Sequence, residues 1–213
     1  MLFGIIMSGG KGSRIGSPTE KPMMLVNGKP MIEYVINALV KSREFKRIII
    51  STSANTPYTN RFLKERYHDN DNITNITVFD SAGMGYSKDL GSILEIIKPE
   101  IGLIVPADLP LLTQNVIKEI CKMYNRVNNH SPCLSIILDE EFVTQFGLKP
   151  SVKVRIRGRT YCHSGVSFFD SKEIIYARYA KESYLKFNAK EIAFNINTKK
   201  EFSVLKKDLL INH

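Results

Sequence analysis

The chain has no apolar stretch near the roughly 18 residues that a membrane span requires, no C-x-x-C pair and no histidine at metal-ligand spacing. A membrane helix is therefore excluded. Its three cysteines, Cys121, Cys133 and Cys162, are odd in number and far apart. That excludes a disulfide scaffold and a zinc site, and points to a reduced, cytoplasmic compartment. A basic leader is lacking as well, and the short apolar run at the N-terminus turns straight into glycines, so no signal peptide is expected. Repeats and low-complexity tracts are absent. Charge is plentiful but uneven: 30 Lys and Arg against 21 Asp and Glu give a net charge of +9, which favours anionic partners. The cations are dispersed, with no Lys/Arg block and no aromatic-basic strand of the RNA-binding kind, so nucleic acid is not expected. A small polyanion held in a cleft fits better. With 213 residues, 43% of them hydrophobic and 24% charged, the chain can bury a full core as one domain over 1–213.

What stands out is the N-terminus. Phe3 to Met7 is an apolar run that breaks into Ser8-Gly9-Gly10-Lys11-Gly12-Ser13-Arg14-Ile15-Gly16, with Glu20-Lys21-Pro22 soon after. The run reads as a buried strand, and the glycines let backbone N–H groups approach an anion closely. Lys11, Arg14 and Lys21 surround that turn, and Glu20 is the only acid before Lys21. The ending Gly-Lys-Ser/Thr of a P-loop is missing. The dinucleotide pattern G-x-G-x-x-G is missing too, and Pro18 and Pro22 keep the segment extended. The loop reads as a polyphosphate site or, taken alone, as a strand-to-helix turn with solvated basic residues.

Further along, helices and strands alternate. Met31, Ile32, Val35, Ile36, Leu39 and Val40 share a helical face after Pro30, and Ile48-Ile49-Ile50 is a strand ending in Ser51 to Asn55. Thr56-Pro57 has the form of an N-cap and first-turn proline. A strand from Ile76 to Phe79 ends at Asp80 to Gly85, followed by a helix carrying Leu90, Ile93, Leu94 and Ile97 and stopped by Pro99. Ile101 to Val105 is the next strand, Thr113 caps the next helix, and Cys133 to Leu138 is a fifth strand. This alternation predicts an α/β fold with a doubly wound, mostly parallel sheet, and a site beyond the strands' C-terminal ends. Residues 139–163 break the pattern and read as an inserted antiparallel arm or lid, equally placed for a homodimer interface. Gly165 to Phe169 reads as a return strand, Ser171 starts a helix, and Ile192 to Ile196 reads as a short strand before a helix with a Thr198/Glu201 capping box.

Candidate residues gather at these strand ends. Asp108, just before Leu109-Pro110, is either a hard oxygen ligand for Mg²⁺ or a turn cap. Asn195 and Asn197 share a face if they lie on a strand, as a neutral metal ligand, or else Asn197 begins the last helix. The loops with Ser53 and Asn55, and with Ser81, Gly83 and Gly85, either read a base edge or are ordinary turns. His68, His130 and His213 carry little information. His163 adjoins Cys162, but neighbours on a strand face opposite ways and no acid is placed to orient the imidazole, so covalent catalysis is not expected.

Together, Gly9 to Arg14 with Glu20-Lys21-Pro22, Asp108-Leu109-Pro110 and Asn195-Ile196-Asn197-Thr198 resemble the signatures of the nucleotidyltransferases related to the molybdenum-cofactor guanylyltransferase. Within that family, Thr52 to Pro57, Gly83 to Tyr86 and Phe194 to Lys199 are most similar to archaeal guanylyltransferases acting on a cobinamide phosphate. The resemblance implies a Rossmann-like nucleotidyltransferase fold and transfer of GMP from GTP to a phosphorylated small-molecule acceptor, with release of pyrophosphate. It implies that Lys11, Arg14, Ser8, Gly9, Gly10, Gly12 and Ser13 hold the β- and γ-phosphates, and that Lys21 neutralises the α-phosphate. Asp108 and Asn197 would bind Mg²⁺, Ser53, Asn55, Ser81, Gly83 and Gly85 would surround guanine, and Gly165, at a strand start, would leave room for the acceptor. Related acceptors, molybdopterin or a sugar or polyol phosphate, are the alternatives, and a nucleotide- or RNA-binding protein without turnover is the non-enzymatic one.

Overall fold

The structure, a computed structural model, describes residues 2–10, 12, 15–67, 75–128, 131–176 and 181–211. Its frame is one eight-stranded sheet. β1 (Leu2–Met7) lies at the centre, flanked in parallel by β4 (Phe45–Ser53) and β6 (Ile101–Pro106), with β5 (Ile76–Ser81) beyond β4. On the other side β9 (Arg159–Asp170) runs antiparallel to β6. It pairs along its length with β7 (Cys133–Asp139) and with the short β8 (Lys153–Ile156), and β10 (Glu182–Lys186) closes the edge parallel to β7. The order is β10-β7-β9-β6-β1-β4-β5.

Side-chain alternation sorts the strands between two helix layers. Ile6, Ile48, Ile50, Leu103 and Val105 join one core with α1 (Met31–Ser42), α2 (Pro57–Arg66) and α4 (Gln114–Arg126). Ile5, Ile49 and Ile104 face the other way onto α3 (Tyr86–Ile97). The parallel half follows the sequence pattern closely. Thr113 caps α4 by accepting from Val116 N–H at 3.4 Å, and α3 ends just before Pro99. Among the described residues no helix is long and apolar enough to cross a membrane.

Departures concentrate elsewhere. Leu25–Val26 (β2) and Lys29–Pro30 (β3) form a small hairpin across Asn27 and Gly28, both at positive φ (48° and 76°), the geometry an Asn-Gly turn favours. The segment 139–163 contains α5 (Glu140–Thr144) and then β8 and the first half of β9, so the expected arm is a hairpin continuous with the main sheet. Gly165 is not at a strand start: it lies inside the twelve-residue β9. After α6 (Ser171–Tyr176) the chain returns as β10. The strand expected over Ile192 to Ile196 is instead α7 (Lys190–Ala193) followed by an irregular turn. Ala189 and Lys190 carbonyls accept from Ala193 and Phe194 N–H there, and Ile192, Phe194 and Ile196 are all fully buried. The alternation recorded burial, and packing decided the backbone. Last comes α8 (Lys199–Ile211), with the expected capping box: Thr198 Oγ1 accepts from Glu201 N–H, and Glu201 Oε2 from Thr198 N–H.

Candidate active site

At the C-terminal ends of the parallel strands, hydroxyls knit the backbone together. Ser8 Oγ donates to the Ser51 carbonyl at 2.6 Å, Ser51 and Ser81 share a hydrogen bond at 2.6 Å, and Ser53 Oγ donates to the Gly9 carbonyl at 2.8 Å while accepting from Asn55 N–H. The side chains of Ser8, Ser53 and Ser81 are thus committed to the protein itself. They shape the glycine loop and the two loops beside it. Gly9 is held where a Cβ would meet Ser53 Cβ at 3.1 Å, whereas among the described residues nothing lies within 4 Å of a Cβ at Gly10. Gly83, at φ +70°, touches the same cluster: its Cβ would stand 3.0 Å from Asn55 Nδ2. The buried Asp89 carboxylate accepts from Gly83 and Met84 N–H and fixes that turn. Gly85, at φ +109°, begins α3 with nothing nearby. A concavity of about 740 Å³ opens alongside, lined in part by Ser53, Asn60, Lys64 and Asp80.

The second part of the site converges on one lysine. Glu20 accepts from Tyr58 and Thr59 N–H and from Thr59 Oγ1, capping α2 in place of Thr56, whose own hydroxyl turns back to Ser53. The next residue, Lys21, is pinned by the short turn at Lys21–Met23 and by Gly12, whose Cβ would lie 3.1 Å from Lys21 Cβ. Its ammonium group pairs with Asp108 Oδ2 and donates to Asn197 Oδ1 at 2.8 Å. Asp108 follows β6 and is only 13% exposed, as is Lys21. A backbone bond from Ile196 N–H to the Asp108 carbonyl, 3.0 Å, ties the C-terminal turn to it.

Neither Asp108 nor Asn197 serves as a side-chain cap. Asp108 does not cap the turn after it, because Oδ2 meets Lys21 and Oδ1 is buried without a hydrogen-bond partner among the described residues. Asn197 does not cap α8 with its side chain: Thr198 does, leaving the Asn197 oxygen on Lys21 and its Nδ2 on Asn195 Oδ1 at 2.9 Å. The Asp108 carboxylate and the Asn197 amide oxygen, which meet on the Lys21 ammonium group, are both hard oxygen donors. They suit a divalent cation that completes its shell from phosphates and water. Among the described residues no cluster of three or more His, Cys, Asp or Glu could hold a metal by itself.

Lys11, Ser13 and Arg14 lie outside the described residues, as do His68, His130 and His213. Gly165, at φ +88°, is packed rather than open: a Cβ there would stand 3.0 Å from Pro106 Cγ and 3.1 Å from Asn195 Nδ2. It also lines a cavity of about 210 Å³ with Leu148, Val152, Ile192, Asn195 and Asn197. Cys162 is buried in the core and burial pushes its thiol up to about 11, and both Cys162 and His163 line the 210 Å³ cavity. An acid does stand near that imidazole, contrary to the sequence reading: Glu182 Oε1 on β10 is 3.5 Å from Nε2. Spacing along the chain gave no sign of it. Lys199 was also missed. Its ammonium group lies 3.9 Å from where a Cβ on Gly16 would be, bringing another cation to the glycine loop. A lysine in the first turn of a helix opposes the helix dipole, which is the local signal that marks it.

Residues 4–141 match the MobA-like NTP transferase domain. The adenosylcobinamide-phosphate guanylyltransferase of Methanocaldococcus jannaschii is 31% identical over 211 residues, covering 96% of this chain and 97% of that protein. A probable molybdenum cofactor guanylyltransferase of Thermococcus sibiricus is 26% identical over 128 residues, 60% of this chain and 58% of that one. Among solved structures, a CMP:2-keto-3-deoxy-manno-octonic acid synthetase complexed with CTP superposes with a TM-score of 0.69 at 11% identity, covering 100% of this chain and 99% of that one, a likeness of fold. With the glycine loop, Lys21 and Asp108 all inside the matched segment, the chain belongs to the MobA-like NTP transferase family.

Proposed function

We propose that this protein transfers GMP from GTP to adenosylcobinamide phosphate and releases pyrophosphate. The observation that carries the reading is the meeting of Lys21, Asp108 and Asn197 at the glycine loop, in a chain similar from end to end to a guanylyltransferase of that acceptor. An acceptor phosphate oxygen attacks the α-phosphorus in line, a P–O bond forms, and the bond to the β-phosphate oxygen breaks so that pyrophosphate leaves with the electron pair. Such a reaction depends on positioning and charge neutralisation. An acceptor that is already a phosphate monoester is ionised at neutral pH and needs little general-base help.

In this reading the N–H groups of Gly9, Gly10 and Gly12, with Lys11, Ser13, Arg14 and Lys199, hold the β- and γ-phosphates. Lys21 faces the α-phosphate. Asp108 and Asn197 hold Mg²⁺, which when bound supplies charge neutralisation across the phosphates. Guanine lies against the Asn55 amide and the backbone of Gly83 and Gly85, in loops whose shape Ser8, Ser53 and Ser81 maintain. The phosphate-bearing end of the acceptor enters from the side of Gly165 and the 210 Å³ cavity, under residues 148–152 of the arm.

A pyrophosphate-release assay with Mg²⁺, each of the four nucleoside triphosphates and a panel of acceptors tests this. Release with GTP and adenosylcobinamide phosphate is expected. Release only with molybdopterin or a sugar phosphate would reject the acceptor, and no release with any pair would reject nucleotidyl transfer by this chain.

A further inference from the structure

Asn195 rests on an irregularity in β9 centred on Gly165. Ser135 of β7 lies opposite Ser167, yet Ile137 lies opposite His163. Ser164, Gly165 and Val166 therefore span a single residue of the partner strand. A bulge frees backbone groups, and buried ones need partners. Two side chains supply them. Ser164 Oγ donates to the Ile136 carbonyl at 2.8 Å and accepts from Val166 N–H at 3.0 Å, and His163 Nδ1 accepts from Gly165 N–H at 2.9 Å. The Ser164 carbonyl in turn accepts from Asn195 Nδ2 at 3.2 Å.

The bulge has no slack. At φ +88°, Gly165 leaves no room for a side chain: a Cβ there would stand 3.0 Å from the ring of Pro106, two residues before Asp108, and 3.1 Å from the Asn195 amide. Asn195 Oδ1 accepts from Asn197 Nδ2, and Asn197 Oδ1 accepts from Lys21. A shift at Gly165 is thereby transmitted through Asn195 to the oxygen that faces Lys21 and Asp108.

We propose that His163 is a positioning residue: by accepting the Gly165 N–H it holds the β9 bulge in the shape that seats Asn195 and Asn197 beside Asp108. The contact needs Nδ1 unprotonated. Burial lowers the affinity of this imidazole for a second proton. The other ring nitrogen faces Glu182, whose Oε1 accepts from Ser135 Oγ at 2.5 Å and whose Oε2 accepts from Tyr184 OH at 2.7 Å. Glu182 is thus held as an acceptor toward Nε2–H, the tautomer that leaves Nδ1 free.

The kinetic part of the test rests on the guanylyl-transfer reading, and the spectroscopic part does not. In the unaltered chain, ¹⁵N-histidine NMR at neutral pH is expected to show His163 Nδ1 as an unprotonated acceptor and Nε2 as protonated; a proton on Nδ1 overturns the proposal. In steady state, His163→Ala is expected to lower kcat about tenfold while KM for GTP stays within about twofold. His163→Asn, whose Oδ1 accepts the N–H two residues on as an Asx turn does, restores most of that loss. Equal losses in the two variants, or no loss in either, overturn the proposal. If the alanine variant does not fold, the tautomer measurement still decides. If the unaltered chain transfers no nucleotide to any acceptor, the guanylyl-transfer reading falls while the ring-nitrogen result judges the contact by itself.

Discussion

The two sides of the crevice are built on different plans. On the side of β1, β4 and β5 the strands are parallel and in register over most of their length, and serine hydroxyls tie each strand end to the next. On the side of β9 the ladder slips, and a file of side-chain amides runs from the bulge to Lys21. The first plan is local and leaves a Cβ position at Gly10 clear of the described residues. The second joins residues 87 and 176 positions from Lys21 and leaves no room for a Cβ at Gly165, at the edge of the 210 Å³ cavity. On the proposed reading, the loop that would receive a flexible polyphosphate tolerates small shifts, and the oxygen donors that would hold one cation do not.

The largest expected effect lies where the two plans meet. Asp108→Asn keeps the shape but removes the charge facing Lys21, and turnover should fall by about 10³-fold or more, the scale of losing metal-assisted charge stabilisation. GTP affinity, measured by titration, should stay within about fivefold if the glycine loop makes most of the phosphate contacts, as proposed. An equal loss in affinity and turnover would contradict that division of labour.

Next comes a pair of glycines. Gly165→Ala forces a side chain into the left-handed region and against Pro106 and Asn195, so it should lower stability by about 1–3 kcal/mol and reduce kcat in chemical denaturation and kinetic assays respectively. Gly10→Ala meets nothing within 4 Å among the described residues. Its stability should change by less than about 0.5 kcal/mol, while KM for GTP rises because the Cβ stands where a phosphate would approach. Reversal of that pattern would place the rigid part of the site on the wrong side.

The same contrast explains what was legible in the chain. Ile48 to Ile50, Leu90 to Ile97 and Thr113 carry periodicity and caps that act within a few residues, so the parallel half could be read directly. Asn27-Gly28 signalled a hairpin just as locally but was overshadowed by Pro30 and the helical face after it. Ile192 to Ile196 misled because burial from all sides, not pleating, produced its apolar spacing. Neither β10 nor the Glu182 carboxylate beside His163 could be foreseen, since both depend on a strand returning to β7 from 50 residues away. Lys21, Asp108 and Asn197 stand out in the chain by residue type and position, and again by motif resemblance. Their convergence, and the bulge that seats it, is a product of tertiary packing.

Glu20→Ala should have an intermediate effect. Its carboxylate satisfies two N–H groups and a hydroxyl at the start of α2, and loss of such a cap costs about 1–2 kcal/mol in denaturant unfolding. Because Lys21 follows directly, the variant should also lower kcat by a few-fold, and a pure stability loss would show that the short turn at Lys21–Met23 holds the lysine unaided.

The smallest effect tests whether surroundings, rather than partners, set the worth of an ion pair. Lys64 and Asp80 join at the end of β5 at 2.6 Å, with the same chemistry as Lys21 and Asp108, but their side chains are 50% and 58% exposed. The Lys64 ammonium holds the Asp80 carboxyl below the usual carboxylate value, with Asn60 and Thr52 adding hydrogen bonds. Water already solvates both charges, and salt screens them. Lys64→Ala should therefore shift stability by less than about 0.5 kcal/mol, and raising the ionic strength should shrink even that. Asp80 keeps Asn60 and Thr52 as donors when the lysine is gone. Asp108 has no such reserve among the described residues, since one of its oxygens has no hydrogen-bond partner and the other meets Lys21. A large loss in Lys64→Ala would mean that the β5 end is organised by charge in the way the Asp108 centre is, and the contrast between the two sides of the crevice would dissolve.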